Sequence, residues 1–390
     1  MNFLSRRTLA AALPALAAAC ATGRYSSPGA AGPPAGAASP LTSPLADFPR
    51  APAGPALPTG PVTRIAVTSC AREDDPMPLY DDVRAARPDV VLMVGDNVYG
   101  SWTPEDPQLS DLRSAYFQLA RRQEFRALAE QVPVVPVWDD HDYGINDGGG
   151  DFAHKALAQA MFNTFWNIPA DSPQRSRPGI YRSHLLGPPG QQVQLIVLDT
   201  RFFRDPLVPS PRRGEPGMER YVPHPPEATA DILGPAQWAW LERELQVPAQ
   251  LRIIISSIQV VADGHGWERW GNFPAARARL YRLIAQTGAR GVVFASGDRH
   301  VGSINRIAEG VAYPLVDVTG SGINVSSWQS GQPTGHVEAG PLRIGPAYRP
   351  PNFGQFQIDW SGRQLRASVM GAGSVEAVGL TVPFAELGLA

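Results

Sequence analysis

Short apolar runs that stop abruptly at metal-binding side chains constrain this chain more than any other feature. Residues 62–69 have the β-branched content of a strand and stop at Cys70. Residues 90–94 stop at Gly95-Asp96, 132–138 at Asp139-Asp140-His141-Asp142, and 291–295 lead into Ser296-Gly297-Asp298-Arg299-His300. Helices are expected between them at 78–87, 109–129, 153–166, 235–246 and 275–287, the fourth opened by a proline in its first turn. Further strands are expected at 193–198, 253–257, 313–319 and 356–360. Strands alternating with helices call for an α/β fold whose sheets are buried on both faces. In such folds ligands bind beyond the carboxyl ends of the strands.

A single aspartate after a strand is ordinary turn or cap chemistry. Four strands ending in Cys, Asp, Asp-His and Asp-x-His are more than capping requires, and these are side chains that bind metals. No Gly-x-Ser-x-Gly, His-Glu-x-x-His or P-loop pattern competes with that reading. The Asp140-His141-Asp142 run fails as an EF-hand loop, because Gly144 stands where a ligand is required and Ile145 where glycine is. The chain has two cysteines, Cys20 and Cys70. With Cys20 in a leader, Cys70 has no intramolecular partner. It is either a small buried hydrophobe or a thiolate held by a metal.

Charge excludes one class of function. With 34 Lys+Arg against 36 Asp+Glu, the net charge of −2 does not suit regulatory binding of nucleic acid. Residues 1–21 read as an export signal. Ser5-Arg6-Arg7 precedes an apolar run, 9–19, too short to span a bilayer. The paired arginines suit twin-arginine export, with the Sec route as the alternative. Cleavage follows Ala17-Ala18-Ala19, or Cys20 carries a lipid anchor. Residues 22–60, rich in Ala, Pro, Gly and Ser, are expected to be a linker, and 61–390 one domain. No other segment has the roughly 20 apolar residues of a transmembrane helix. The expected destination is the periplasm, the outer membrane through the anchor, or the exterior.

Gly95-Asp96-Asn97-Val98-Tyr99, Trp138-Asp139-Asp140-His141-Asp142 and Ser296-Gly297-Asp298-Arg299-His300, with Ser69-Cys70 upstream, resemble the PhoD-like alkaline phosphatase family. That family belongs to the calcineurin-like metallophosphoesterases. Leu198-Asp199-Thr200-Arg201 and Gln237-Trp238-x-Trp240-Leu241-Glu242 look like further family blocks, so the resemblance covers about 65–307. It implies a metallophosphoesterase-type α/β fold, with two mixed β-sheets packed together and flanked by helices. It also implies iron(III) held by Cys70, Asp96, Tyr99 and His300. A second divalent ion, calcium, would share Asp96 and add Asp140 and Asp298, with Gln259 or Asn146 left to complete the shell. Donor chemistry agrees: thiolate, phenolate and imidazole suit a transition metal, carboxylate oxygens a hard cation.

The implied reaction is hydrolysis of phosphoric esters by in-line attack of a metal-bridging hydroxide on phosphorus. His141 would protonate the departing alkoxide, and Arg72 and Arg299 would grip the non-bridging oxygens. For His141 the alternative is orienting Asp140; for Tyr99 it is a stacked core aromatic. Two other functions stay open, a phosphodiesterase or phospholipase-type hydrolase on the same site and an idle surface-binding lipoprotein. A closed, arginine-lined pocket would favour monoesters and an open groove diesters. The Trp- and Gly-rich segment 263–273 is the expected wall.

Overall fold

The computed structural model describes residues 45–327 and 338–389. The expected export signal lies outside them, as does the linker before residue 45.

The first half alternates as expected. β1 (Arg64–Thr68), α1 (Leu79–Ala85) and β2 (Val90–Val94) form a parallel crossover, with Ile65 opposite Val90. α2 (Ser110–Leu119) and α3 (Gln123–Gln131) lead to β3 (Val134–Val137), parallel to β2 with Val91 opposite Val134. The single helix expected at 109–129 is two, because Arg122 takes an extended backbone (φ −66°, ψ 119°). Its guanidinium Nε and Nη2 donate to the Glu73 carbonyl at 3.0 and 2.6 Å, so a tertiary contact overrides helical periodicity.

The chain continues through the one-turn α4 (Asp140–Tyr143), α5 (Lys155–Phe165) and α6 (Pro173–Ser176) to β4 (Arg182–Leu186) and β5 (Val193–Val197). A small hairpin follows, β6 (Val208–Pro209) with β7 (Tyr221–Val222). Then come α7 (Gly234–Leu245), β8 (Leu251–Ile255), α8 (Pro274–Gln286), β9 (Val292–Ser296), β10 (Ser303–Ile307) and β11 (Leu315–Thr319). The C-terminal strands are β12 (Asn352–Asp359), β13 (Gln364–Gly371) and β14 (Val375–Pro383).

These strands make two mixed six-stranded sheets, ordered β14-β13-β12-β1-β2-β3 and β10-β11-β9-β8-β5-β4, the architecture the sequence implied. Why the runs of the second sheet are apolar at every position is visible in β8. Successive strand side chains point to opposite faces. Ile253 and Ile255 join the core that also holds Ile65, Val67, Val91 and Met93 of the first sheet. Ile254 turns the other way, into a cluster with Trp238 and Leu241 of α7 and Leu280 and Ile284 of α8. Each such fully buried side chain contributes roughly 1.5–3 kcal/mol. β1, β2 and β3 run parallel in one sheet and β5, β8, β9 and β11 in the other, so the loops after their carboxyl ends gather at one edge of each sheet.

The linker expectation changes within the described residues. Part of that segment is anchored: Leu45, Phe48 and Ala51 are buried, and Ala51 N–H donates to the Phe165 carbonyl at 2.7 Å, while 53–56 are exposed. The Phe48 ring meets Tyr116 edge-on at 5.6 Å. A stretch poor in apolar residues docks through the few it has. Among the described residues no helix is long and apolar enough to cross a membrane.

Candidate metal centre

The loops after β1, β2, β3 and β9 converge. Donor atoms of Cys70, Asp96 and His300 lie within 4.8 Å of one another, as do those of Asp96, Asp140 and His141, and those of Asp139, Asp140 and Asp298. Asp96 belongs to the first two groups and Asp140 to the last two, so six side chains and Asp139 make a continuous chain of donors. Tyr99 joins it: its hydroxyl donates to Asp96 Oδ2 at 3.3 Å and lies 3.4 Å from His300 Nε2.

The backbone reaches this arrangement by leaving the strands sharply. Cys70, Asp96, Asp298 and His300 all take positive φ, from 51° to 67°, a conformation uncommon outside glycine. Such residues cost energy and persist where the surroundings hold them, which is typical of functional sites. Gly95 makes the turn after β2 possible. Its φ is 99°, and a Cβ there would sit 2.4 Å from the Asp139 Cβ. Asp142 ties two of the loops together, accepting from Asn97 Nδ2 at 2.8 Å and from Asp139 N at 3.1 Å.

The cysteine sulfur is held by two hydroxyls, Ser69 Oγ at 3.1 Å and Ser321 Oγ at 3.0 Å, and lies 3.5 Å from Asp96 Oδ2. Burial pushes its thiol up to about 11, with the two serines pulling the other way. Burial, then the charges of Asp140 and Cys70, holds the Asp96 carboxyl well above the carboxylate range. Asp298 is raised likewise, by burial and Asp139, against the opposing Arg299. Asp140 is the exception. Burial would raise it, but the charges of His141 and Arg201 and the Asp147 N–H, 2.7 Å from Oδ2, hold it below its ordinary value. His300 is pushed down to about 4 by burial and then by Arg299 and His141, which keeps its imidazole neutral and able to ligate.

The residues fit metal ions on an observation independent of family. Asp96 Oδ1 is buried without a hydrogen-bond partner among the described residues, and so is Asp139 Oδ2. An unpaired buried acceptor is costly, and crowded carboxylates ionise together only if positive charge is set among them. One side of Asp96 offers sulfur, phenol and imidazole; the other offers carboxylate oxygen.

A buried ion-pair network supports the carboxylate side, which the sequence did not reveal. Arg201 donates through Nε to Asp139 Oδ1 at 2.6 Å and through Nη1 to Glu268 Oε2 at 2.7 Å, and Arg204 pairs with the same Glu268. Ser257 Oγ also donates to Asp139 Oδ1, at 2.5 Å. Burial, opposed by Arg201, raises the Asp139 carboxyl to about 8.

A cavity of about 170 Å³ opens over the centre, lined by Asp96, Asp140, His141, Asp298, Arg299 and His300 on the ligand side. Asn146, Asp147, Arg220, Trp267 and Glu268 complete it, so segment 263–273 does wall the site. The His141 ring packs against Tyr99, centroids 4.4 Å apart and planes tilted by 30°, and its Nδ1 is buried without a partner among the described residues. Arg72 is placed differently from Arg299. Its guanidinium covers the Tyr99 ring at 4.5 Å and does not line the cavity. Gln259 is also elsewhere, donating to Ser303 and Thr319 inside the second sheet.

A family model described as PhoD-like phosphatase matches residues 65–367. It reaches beyond 307 and takes in β11 and β12, where the sequence offered no recognisable block. Among solved structures, the chain is similar to one described as the structure of PhoD, with a TM-score of 0.62 and 18% identity, covering 84% of this chain and 70% of that one. It is also similar to a dimetal phosphatase from Danio rerio, with a TM-score of 0.50 and 13% identity, covering 83% of this chain and 99% of that one. No curated protein matches the chain.

Proposed function

The chain belongs to the PhoD-like phosphatase family, and from that premise we propose that it is an exported, metal-dependent hydrolase of phosphoric esters. The observation that carries the reading is the unpartnered, buried Asp96 Oδ1, on a carboxylate that shares one donor group with Cys70 and His300 and another with Asp140 and His141. Cys70, Asp96, Tyr99 and His300 would hold iron(III). Asp96, Asp140 and Asp298 would hold the second ion, calcium by the hardness of its ligands, with Asn146 and Asp139 near enough to the cavity to contribute. When bound, the ions supply Lewis acidity, which lowers the pKa of an attacking water and neutralises charge on the phosphoryl oxygens.

The remaining work falls to the chain's own residues. His141 lines the cavity and packs against the Tyr99 ring, which suits it to deliver a proton to the departing alkoxide. Arg299 presents its guanidinium to the same cavity and is suited to the non-bridging oxygens. Arg72, over the face of Tyr99, is suited to fix that ring. Arg201 keeps Asp139 and Glu268 paired beneath the site.

Elemental analysis of the purified protein, beside hydrolysis assays on a monoester and a diester, tests this reading. Iron and a second divalent ion should be present, and Cys70→Ser should lose the iron and most turnover while keeping its fold. A fully loaded protein that hydrolyses neither ester would leave the idle-binder reading standing. Export through residues 1–21, ahead of a linker and the catalytic domain, and anchoring at Cys20 are part of the same proposal. Arg6→Lys with Arg7→Lys should trap the precursor inside the cell, and unchanged secretion would rule out the twin-arginine route.

A further inference from the structure

The wall of the cavity that faces the donor chain comes from three segments far apart in sequence. They are the Asn146-Asp147 loop after α4, the β6–β7 hairpin, and residues 264–268. The hairpin is fastened to the third segment through the backbone. Arg220 N and Tyr221 N both donate to the Gly266 carbonyl, at 2.9 and 2.8 Å, and Gly266 N donates back to Glu219 Oε2 at 2.9 Å. The approach is so close that a Cβ on Gly266 would lie 2.6 Å from Glu219 N. This clasp sets one side chain over the cavity, that of Arg220.

Arg220 is fixed twice more. Its guanidinium lies 4.9 Å from the centre of the Trp267 ring, and its Nη1 donates to Asp147 Oδ2 at 2.7 Å. The same Asp147 oxygen accepts from the Tyr221 hydroxyl at 2.7 Å. From the opposite direction, on the ligand-bearing loop after β9, Arg299 also lies 4.9 Å from the Trp267 ring. Its Nη2 donates to Glu338 Oε2 at 2.5 Å. One indole therefore braces two guanidiniums, and each is charge-compensated by its own carboxylate.

Neither guanidinium is saturated. Each has five N–H donors, and among the described residues Arg220 spends one, on Asp147, and Arg299 one, on Glu338. Arg299 Nε is buried with no partner among the described residues, in a residue only 7% exposed. A buried donor without an acceptor is unfavourable, as Asp96 Oδ1 is across the cavity in the opposite sense. The donor side is rich in acceptor oxygens and the arginine side in N–H donors.

We propose that Arg220 and Arg299, braced on Trp267, form an oxyanion-receiving wall that selects phosphate monoesters and inorganic phosphate over diesters. The inference rests on the hydrolytic reading above and adds to it a substrate class and a specificity residue, Arg220. Two considerations set the class. A monoester carries close to two negative charges above its second ionisation, near pH 6, and a diester one, so a second fixed guanidinium favours the monoester. The cavity, about 170 Å³, is smaller than the 300–1,000 Å³ or so of pockets that take drug-sized ligands, which suits a phosphoryl group with one substituent.

The test uses full-length, metal-loaded protein and the variants Arg220→Gln and Arg220→Lys. The lysine keeps the charge but not the fork, and it serves if the glutamine variant does not fold. Steady-state rates are measured on phenyl phosphate and on its matching diester, with the inhibition constant of inorganic phosphate alongside. The ratio of monoester to diester kcat/KM should fall at least tenfold in Arg220→Gln, through KM more than kcat, and phosphate inhibition should weaken by a similar factor. Arg220→Lys should fall between. Equal losses on both esters with unchanged phosphate inhibition would overturn the proposal, since a merely structural Asp147–Arg220 pair predicts that result. If the parent protein hydrolyses neither ester, the hydrolytic reading fails separately. Phosphate binding followed by tryptophan fluorescence then decides the wall: weaker binding in Arg220→Gln supports it, and unchanged binding removes it.

Discussion

The Ser321 hydroxyl lies 3.0 Å from the Cys70 sulfur. The same oxygen accepts from His300 N at 2.8 Å, so its own proton is left for the sulfur. Ser69 repeats the device, accepting from Asp298 N at 3.4 Å and facing the sulfur at 3.1 Å. Two donors aimed at one sulfur favour its thiolate. Partners that orient and polarise a ligand typically matter by about 10–100-fold in metal affinity. In the iron site proposed above, Ser321→Ala should weaken metal retention by that order and shift the visible thiolate-to-iron absorption such a site would carry, while leaving the fold intact. Competition against a chelator and an absorption spectrum check both. An unchanged affinity and spectrum would reduce Ser321 to packing.

The packing of His141 against Tyr99 leaves two roles for the imidazole, and the leaving group separates them. A general acid contributes a factor of about 10² to 10⁴ when the departing oxygen is basic. His141→Gln should therefore slow an alkyl phosphate far more than a nitrophenyl phosphate at saturating divalent ion. Equal slowing that extra metal rescues would mean that His141 only orients Asp140.

Arg201 is fully buried between Asp139 and Glu268. Removing one partner of a buried ion pair costs about 3–5 kcal/mol, because the others stay buried without compensation. Arg201→Met should lose stability of that order in chemical denaturation. A loss below about 1 kcal/mol would show that the carboxylates find other partners or protons.

His184, on β4 and remote from the cavity, gives a stability effect with a definite sign. Burial, then Arg182, pushes its imidazole down to about 4. The folded chain thus binds fewer protons than the unfolded one between pH 6.5 and 4. Its contribution is fully present above pH 6.5 and is lost as pH falls toward 4. The side chain is partly exposed, so the loss is discounted to the order of 1–3 kcal/mol. His184→Gln should flatten this part of the denaturation-midpoint profile, and a variant with the parent's slope would exonerate the histidine.

Much of the donor cluster is legible because it obeys one rule, that its side chains follow strands. Cys70, Asp96, Asp140, Asp298 and His300 were found that way. The same rule, carried on to β11, points at Ser321, two residues after Thr319, but the glycines around it hid the signal. Asp139 was passed over for its neighbour, since nothing in Asp139-Asp140 tells which carboxylate faces which way. Arg220 had no signal at all. Its position depends on hydrogen bonds to Gly266 some 46 residues away, and neither spacing nor periodicity records them. The strands β13 and β14 were missed for a simpler reason. Leu365, Ala367 and Val369 alternate inward along β13, but so short an alternation beside glycines is a weak strand signal.

Both sheets supply the donors: the first through the loops carrying Cys70, Asp96, Tyr99 and Asp140, the second through the one carrying Asp298 and His300. No half of the chain holds a complete set, so the site comes into being only when the sheets have docked. Ions that bind here would meet a site that only the docked sheets present, and metal availability in the compartment where the chain folds, more than raw affinity, would bear on which ions those are.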